Sequence, residues 1–163
     1  RGGRLAVASA QGHKSPEHLA ELVATEGVTV MMLTPQVLDL VLDIHEARGG
    51  RALATLRHVV TVGEALPAAL ANRVCHSRGL GCRLHNFYGA SESSCTVYTV
   101  PPKGVDLQLF PLRAPAGLPQ PHCSVVLVQP AEGQGELVPV APGEPGEICF
   151  GGVLASCYWK HDA

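Results

Sequence analysis

The residues best suited to chemistry lie in one short stretch, NFYGASESS at positions 86–94, which follows a predicted strand. Gly89 would let the chain leave that strand in a sharp turn. Ser91 offers a hydroxyl suited to a phosphate, and Glu92 offers a carboxylate suited to Mg²⁺. Tyr88 could stack on a flat ring. The same residues also fit a capped turn beside an aromatic core residue, and so short a motif leaves both interpretations open.

A second stretch, TVGEALP at positions 61–67, also follows a predicted strand. Gly63 and Glu64 would form its turn, and Pro67 would open a helix. Two neighbouring loops of this kind at one sheet edge would make a slot for a planar base. The alternative for Glu64 is an acidic residue favoured by the positive end of a helix dipole.

The elements that would position these residues alternate between strand and helix. Short apolar runs predict buried strands, and the run at 28–33 is expected to be buried on both faces; the predicted strands cover 4–9, 28–33, 56–62 and 82–88. Helices are predicted from Ser15–Pro16 to Gly27, from Val37 to the pair Gly49–Gly50, and over 67–79. This order predicts an α/β fold with a parallel sheet flanked by helices, whose ligands bind at the carboxyl edge.

The chain changes character after residue 94. A strand is expected in SCTVYTV, followed by a Pro-rich segment and by short β segments at 123–129, 136–141 and 146–152. These segments predict a small antiparallel β meander or barrel. We therefore divide the chain into an α/β segment, residues 1–94, and a β-rich segment, residues 95–163.

Composition excludes several classes of protein. The 163 residues are 46% hydrophobic and 16% charged, with a formal net charge of −2, so neither a disordered chain nor a basic nucleic-acid surface is expected. The longest apolar run is too short to span a membrane. The six cysteines lack the spacing of a zinc site and suit reduced thiols in a cytoplasmic protein. Because the chain starts with Arg and shows no signal peptide, it is interpreted as an internal segment.

Five segments, in order, resemble motifs of the adenylate-forming enzymes, specifically the adenylation domains of nonribosomal peptide synthetases and related proteins. NFYGASE resembles N-x-Y-G-[PTA]-[ST]-E, and TVGEALP resembles G-G-E-x-L-P. The other three are VTVMMLTPQVLDLVLD at 28–43, AGLPQP at 116–121 and PGEPGEICFGGVLASCYW at 142–159. Together they spread over nearly the whole chain, which makes the resemblance specific.

The resemblance implies an adenine site. Tyr88 would stack on the adenine, and Asn86 with the backbone of Phe87 would meet its amino edge. Gly63 and Glu64 would line the other side of the base. Gly89 belongs to the same motif.

The resemblance also implies a reaction, in which a carboxylate attacks the α-phosphate of ATP to give an acyl adenylate and pyrophosphate. Ser91 would contact the α-phosphate, and Glu92 would help to hold Mg²⁺; both would act by neutralising charge at phosphorus. The implied cofactors are ATP, Mg²⁺ and a phosphopantetheine group on a carrier domain in the same protein. The implied substrate is an amino acid or a related carboxylic acid.

The wall of the acyl pocket follows from the same alignment. It would consist of Met32, Val60, Val62, Phe87, Cys95 and Thr96. These side chains are uncharged and mostly apolar, which favours a hydrophobic guest. The alternative is that all six are core residues, because alternate strand positions are buried in any case.

Three positions depart from the family pattern: Val62 replaces a loop glycine, Leu118 replaces a basic residue, and Cys157 replaces the glycine before the last motif's tyrosine. The family's phosphate-binding loop, its ribose-binding Asp and its catalytic Lys are not in this sequence, so the segment alone is expected to be inactive. Two alternatives stay open: an acyl-CoA ligase, and a degenerate nucleotide-binding or scaffold module without turnover.

Overall fold

The computed structural model describes residues 2–130 and 136–155, apart from the side chains of residues 94 and 95. The departure at Cys157 and the last motif's tyrosine therefore lie outside the described residues. No helix in the described part is long and apolar enough to cross a membrane.

Local sequence signals account for the three α-helices of the described part of the chain, α1 (Pro16–Glu26), α2 (Pro35–Ala47) and α3 (Ala68–His76). The Ser15 hydroxyl accepts a hydrogen bond from the His18 N–H, and the Thr34 hydroxyl accepts one from Val37, so each caps the first turn of its helix. Gly27 ends α1 in the left-handed conformation, with φ of 62°. The predicted helices are thus confirmed. A short 3-10 helix, Gly12–Lys14, precedes α1.

Within the residues that the structure describes, the first sheet has five strands in sequential order: β1 (Val30–Leu33), β2 (His58–Thr61), β3 (Arg83–Ala90), β4 (Ser93–Thr99) and β5 (Leu118–Pro119). The first three strands run parallel, with Met32 beside Val60 and Val60 beside His85. β4 and β5 then add antiparallel pairings. The sheet is therefore mixed, and its parallel half is the one that the sequence predicts.

Alternate strand residues define two different faces of this sheet. Val59 and Leu84 point into one hydrophobic core that also contains the buried residues of all three helices. The opposite side, here called the open face, carries Met32, His58, Val60, Arg83, His85, Phe87, Val97 and Thr99, as strand register and alternation require. All three helices therefore cover a single side of the sheet.

Two strand predictions are wrong in detail. Residues 4–9 form no strand, because no described strand pairs with this segment, and Leu5 is 84% exposed; Arg4 is bonded instead to Glu26 at the end of α1. β1 was expected to be buried on both faces, yet Val30 is 58% and Met32 59% exposed. Both side chains lie on the open face, where no helix of the described residues packs.

The second sheet is small and antiparallel, with strands β6 (Cys123–Pro130), β7 (Leu137–Pro139) and β8 (Glu147–Gly152). Its order is β7–β6–β8, so the first of the three strands lies in the middle rather than at one end as in a meander. The change from one sheet to the other falls between Pro119 and Cys123, because β4 and β5 extend the first sheet beyond residue 94. The division into two segments at residue 94 stays a prediction.

Candidate functional site

A cleft of about 250 Å³ opens at the carboxyl edge of the parallel strands. The residues that line it are Gly63, Glu64, Ala65, Asn86, Phe87, Tyr88, Gly89, Arg113, Ala114 and Ala116. All six residues that the sequence assigns to an adenine site are among them. They come from the two stretches that sequence analysis singles out, and a third segment closes the cleft.

The loop after β2 reaches the cleft through a backbone conformation that glycine adopts readily. Gly63 has φ of 88°, while a Cβ there would meet only the Thr34 methyl group at 3.9 Å. The N–H of Val62 donates to the Leu33 carbonyl, which continues the β1–β2 pairing by one residue. Leu66 is fully buried beneath the loop. The loop is thus anchored at both ends, and Gly63 and Glu64 face the cleft.

The stretch after β3 is a hairpin rather than a loop. β3 continues to Ala90, and the two residues Ser91 and Glu92 turn the chain into β4. Gly89 therefore lies within a strand, beside a shift in the register of the β3–β4 pairing, and does not end the strand as predicted. Continued pairing with β4 holds the chain extended, since the paired residues satisfy each other's backbone hydrogen bonds.

Tyr88 presents the largest accessible ring in the cleft. Its side chain is 41% exposed, and its ring centroid lies 6.0 Å from that of Phe150 on β8, with the planes at 49°. Such a tilted pair is a favourable aromatic arrangement. The ring is thus supported on one side by the second sheet, and exposed surface remains for a planar ligand.

Asn86 lines the cleft, but both ends of its amide already have partners within the protein. Its Oδ1 accepts from the Thr61 hydroxyl at 3.2 Å, and its Nδ2 donates to the Pro115 carbonyl at 2.9 Å. The residue is 5% exposed. These bonds connect β2, β3 and the segment that closes the cleft, so Asn86 fixes the shape of the cleft.

Residues 112–117, here called the cleft loop, form the side of the cleft that sequence analysis missed. The Ala114 N–H donates to the Leu66 carbonyl at 2.9 Å, and the Thr96 hydroxyl donates to the Ala116 carbonyl at 2.6 Å. Gly117 has φ of 94°, and a Cβ there would overlap the backbone of Val97. The cleft loop is therefore bonded to the loop after β2 on one side and to β4 on the other, and it packs directly against β4.

Arg113, in the cleft loop, is the only basic residue among the described residues that line the cleft. None of the ion pairs found in the described part of the chain involves its guanidinium. It lies three residues before the AGLPQP segment, in a Pro-rich stretch to which sequence analysis assigned no site residue. The missing basic residue at Leu118 was a signal that a cation should be sought nearby.

Ser91 and Glu92 lie at the tip of the β3–β4 hairpin, two and three residues beyond the last cleft-lining residue of that stretch. The Glu92 carbonyl accepts from the Ala155 N–H at 2.9 Å, which fixes the tip against the segment after β8. No group of three or more metal-ligating side chains occurs among the described residues. One carboxylate nevertheless suits Mg²⁺ that is held mainly by phosphates and water.

The predicted acyl wall is brought together only in part. Met32, Val60 and Phe87 share the open face, and Val62 follows directly after β2. Thr96 lies on the opposite side of the sheet, where it is buried and bonded to the cleft loop, so the structure does not place it in this wall. The side chain of Cys95 lies outside the described residues.

Comparisons with known proteins agree with this geometry. Residues 1–159 match the family model of the AMP-binding enzymes. A linear gramicidin synthase protein of Brevibacillus parabrevis is 32% identical over 164 residues, which cover 99% of this chain and 3% of that protein.

Several solved structures also match this chain. The nonribosomal peptide synthetase FmoA3 bound to alpha-methyl-L-serine-AMP matches 90% of this chain and 16% of its own, with TM-score 0.74 and 26% identity. The AMPPNP-bound form of FmoA3 matches 70% of this chain and 12% of its own, with TM-score 0.61 and 31% identity. PA1221, a synthetase protein containing adenylation and PCP domains, shares the fold with TM-score 0.67 at 24% identity, over 88% of this chain and 27% of its own. The chain thus spans less than a third of each protein.

Proposed function

Because the chain belongs to the AMP-binding enzyme family, we propose that its cleft binds the adenine of ATP and that the protein activates a carboxylic or amino acid as an acyl adenylate. The observation that carries the proposal is the meeting of all six predicted adenine residues in one cleft of about 250 Å³. These residues come from two segments more than twenty positions apart in the sequence. A volume of that order suits the base of a nucleotide.

Each side of the cleft has a definite role in this proposal. Tyr88 stacks its exposed ring on the adenine, and Gly63 with Glu64 lines the opposite side. Asn86 acts as a positioning residue, because its amide is already bonded to Thr61 and to the Pro115 carbonyl. Arg113 supplies a positive charge for the phosphates, in place of the basic residue that Leu118 does not provide.

The reaction begins with the acid's carboxylate oxygen attacking the α-phosphorus of ATP. A bond from that oxygen to phosphorus forms while the bridging bond from the α-phosphorus to the β-phosphate oxygen breaks, and pyrophosphate leaves. Ser91 donates its hydroxyl to an α-phosphate oxygen at the hairpin tip. Glu92 would hold Mg²⁺, which when bound neutralises charge that develops on the phosphates. Holding both reactants in line supplies much of the rate enhancement.

The acyl group is then proposed to pass to the phosphopantetheine thiol of a carrier domain. The similarity of this chain to peptide synthetase proteins supports a carrier as the acceptor, and coenzyme A is the alternative. The protein would work in the cytoplasm, where ATP is available and the thiols of Cys75, Cys82 and Cys149 stay reduced. Incubating the radiolabelled acyl adenylate with either acceptor would distinguish them by which thioester forms.

Pyrophosphate exchange into ATP tests the proposal in the full-length protein that carries this chain. A panel of amino and aryl acids is expected to contain at least one that supports exchange. The Glu92→Gln variant should lose most of that exchange, because one carboxylate ligand of Mg²⁺ is gone. Glu144→Gln, at an exposed turn of the second sheet, is the matched control and should retain it.

Two results would count against the proposal. Exchange that is equal in Glu92→Gln and Glu144→Gln would remove Glu92 from the chemistry. No exchange with any acid, together with calorimetric binding of a non-hydrolysable ATP analogue, would indicate the degenerate nucleotide-binding module instead.

A further inference from the structure

A chain of three hydrogen-bonded side chains crosses the open face of the first sheet. The Nδ1 atom of His85 lies 2.9 Å from the Thr99 hydroxyl oxygen, and its Nε2 atom lies 3.0 Å from Nδ1 of His58. The two imidazole rings are stacked, with centroids 5.3 Å apart and planes at 22°. Neither the adenine site nor the proposed chemistry uses these residues.

His58 is the open end of this chain. Both ring nitrogens of His85 are occupied, whereas Nε2 of His58 has no hydrogen-bond partner in the described part of the protein. Every buried side-chain nitrogen and oxygen of the described residues has a hydrogen-bond partner. Because Nε2 of His58 has none, that nitrogen is accessible. An accessible imidazole nitrogen held at a fixed position is suited to bind a polar group of a ligand.

Strand register places the histidines beside the proposed acyl wall. Met32, Val60, His85 and Thr99 are lateral neighbours in one row across four strands, and Phe87 lies two residues further along β3 on the same face. Two residues along a strand correspond to about 7 Å. A substrate whose carboxylate lies at the carboxyl edge would therefore extend its side chain past Phe87 toward the imidazoles. The predicted acyl wall is mostly apolar, but polar imidazole side chains lie beyond Phe87 on the same face.

The charge around the histidines favours an acceptor group over an apolar one. Arg83 is the lateral neighbour of His58 and also lies on the open face. Burial, followed by the nearby His58 and Arg83, lowers the pKa of His85, so this imidazole stays neutral and has one donor and one acceptor nitrogen for its two partners. An oxygen that accepts a hydrogen bond from His58 would also be attracted by the Arg83 guanidinium.

We propose that His58, positioned by His85 and Thr99, is a specificity-determining residue that selects acids whose side chain ends in a hydrogen-bond-accepting oxygen, a carboxylate or an amide. The inference rests on the proposed function, because it concerns the acid that this function activates. It differs from the expectation of a hydrophobic guest, which considered only the apolar residues of the wall.

The test compares acids of equal length in pyrophosphate exchange by the full-length protein. Glutamate and glutamine carry a terminal oxygen, while norleucine carries a methyl group at a similar distance. The wild-type protein is expected to use one of the oxygen-bearing acids at least about tenfold more efficiently than norleucine, a ratio in the range that a hydrogen bond to an imidazole supports. His58→Phe should reduce that ratio to near one by raising the KM for the polar acid, with the KM for ATP unchanged.

Two further variants separate recognition from folding. His58→Gln keeps a hydrogen-bonding side chain and should recover part of the preference, while His122→Gln, at an exposed position after β5, should leave the ratio as it is. A wild-type preference for norleucine would overturn the inference while the proposed function stands, and so would an unchanged ratio in His58→Phe. The absence of exchange with every acid would instead be a failure of the proposed function, and the inference would fall with it.

Discussion

Tyr88 is the residue on which the proposed nucleotide binding would depend most directly. Its ring is the largest accessible surface in the cleft, and Phe150 supports it at a centroid distance of 6.0 Å. The ring can therefore present a face to adenine without changing its packing on the second sheet.

We expect Tyr88→Ala to weaken ATP binding by about 1–3 kcal/mol, which is the usual loss when an aromatic ring stacked on a base is removed. Tyr88→Phe should bind ATP nearly as well as the wild type, because the stacking surface is kept. Calorimetry on the full-length protein would measure both dissociation constants. Equal weakening in the two variants would mean that the hydroxyl, rather than stacking, matters.

Arg113 is expected to contribute charge rather than shape. Arg113→Gln should raise the dissociation constant for ATP by about two- to tenfold, in the range of an exposed ion pair, and the effect should shrink at high salt. Binding of adenosine, which has no phosphates, should not change. Arg78→Gln, which alters another exposed arginine, is the matched control. A comparable loss of adenosine binding in Arg113→Gln would show that the residue shapes the cleft instead.

At the scale of elements, the helices and the parallel strands were predictable because their signals are local. Ser15, Thr34 and Gly27 mark helix ends by their own chemistry, and apolar runs mark the strands. The continuation of β3 to Ala90 was not predictable in this way, because it depends on pairing with β4 beyond the turn. Arg113 was missed for the same reason, since the cleft loop reaches the site through bonds to residues distant in the sequence.

The cleft loop gives a prediction about packing. Gly117→Ala should lower the free energy of unfolding by about 2–4 kcal/mol, because the new methyl group overlaps the backbone of Val97 and the backbone is strained at φ of 94°. Gly143→Ala is a close control, since Gly143 has φ of 93° but nothing within 4 Å of the added Cβ. Denaturant unfolding of the full-length protein should show the larger loss in Gly117→Ala. Equal losses would mean that φ alone causes the effect.

The contact between α2 and α3 gives a prediction about acid stability. Arg73 pairs with Asp39, Asp43 and Glu46, and its hydrogen bond to Glu46 is the main reason that the pKa of Glu46 is lowered from 4.5. A carboxylate whose pKa is lowered in the folded state stabilises the protein at pH values above its ordinary pKa. This stabilisation is lost as the pH falls through the folded-state pKa.

Melting temperatures measured from pH 7 to pH 3 should therefore fall less steeply for Arg73→Gln than for the wild type. The variant should already be less stable at neutral pH. Because the pair is largely exposed, we expect a modest difference that shrinks in high salt. Parallel curves for the two proteins would exclude the link between Arg73 and acid stability.

At the scale of the whole molecule, the cleft is built from separate parts of the chain. Residues near positions 63, 88 and 113 line it, and the ring of Tyr88 is supported by Phe150 of the second sheet. The sequence predicted the first two parts through recognisable motifs. It could not predict how the third is fastened, because side-chain bonds such as that from Thr96 to the Ala116 carbonyl depend on the assembled fold.

The single-sided arrangement of the helices has a practical consequence for handling this chain. The open face carries exposed Met32 and Val30, and β1 ends the five-stranded sheet with one edge that no described strand pairs. Apolar surface beside an unpaired strand edge is a template for association between copies. Residues 1–163 expressed alone should therefore form concentration-dependent aggregates, which light scattering would measure. The double variant Val30→Lys, Met32→Lys should stay monodisperse.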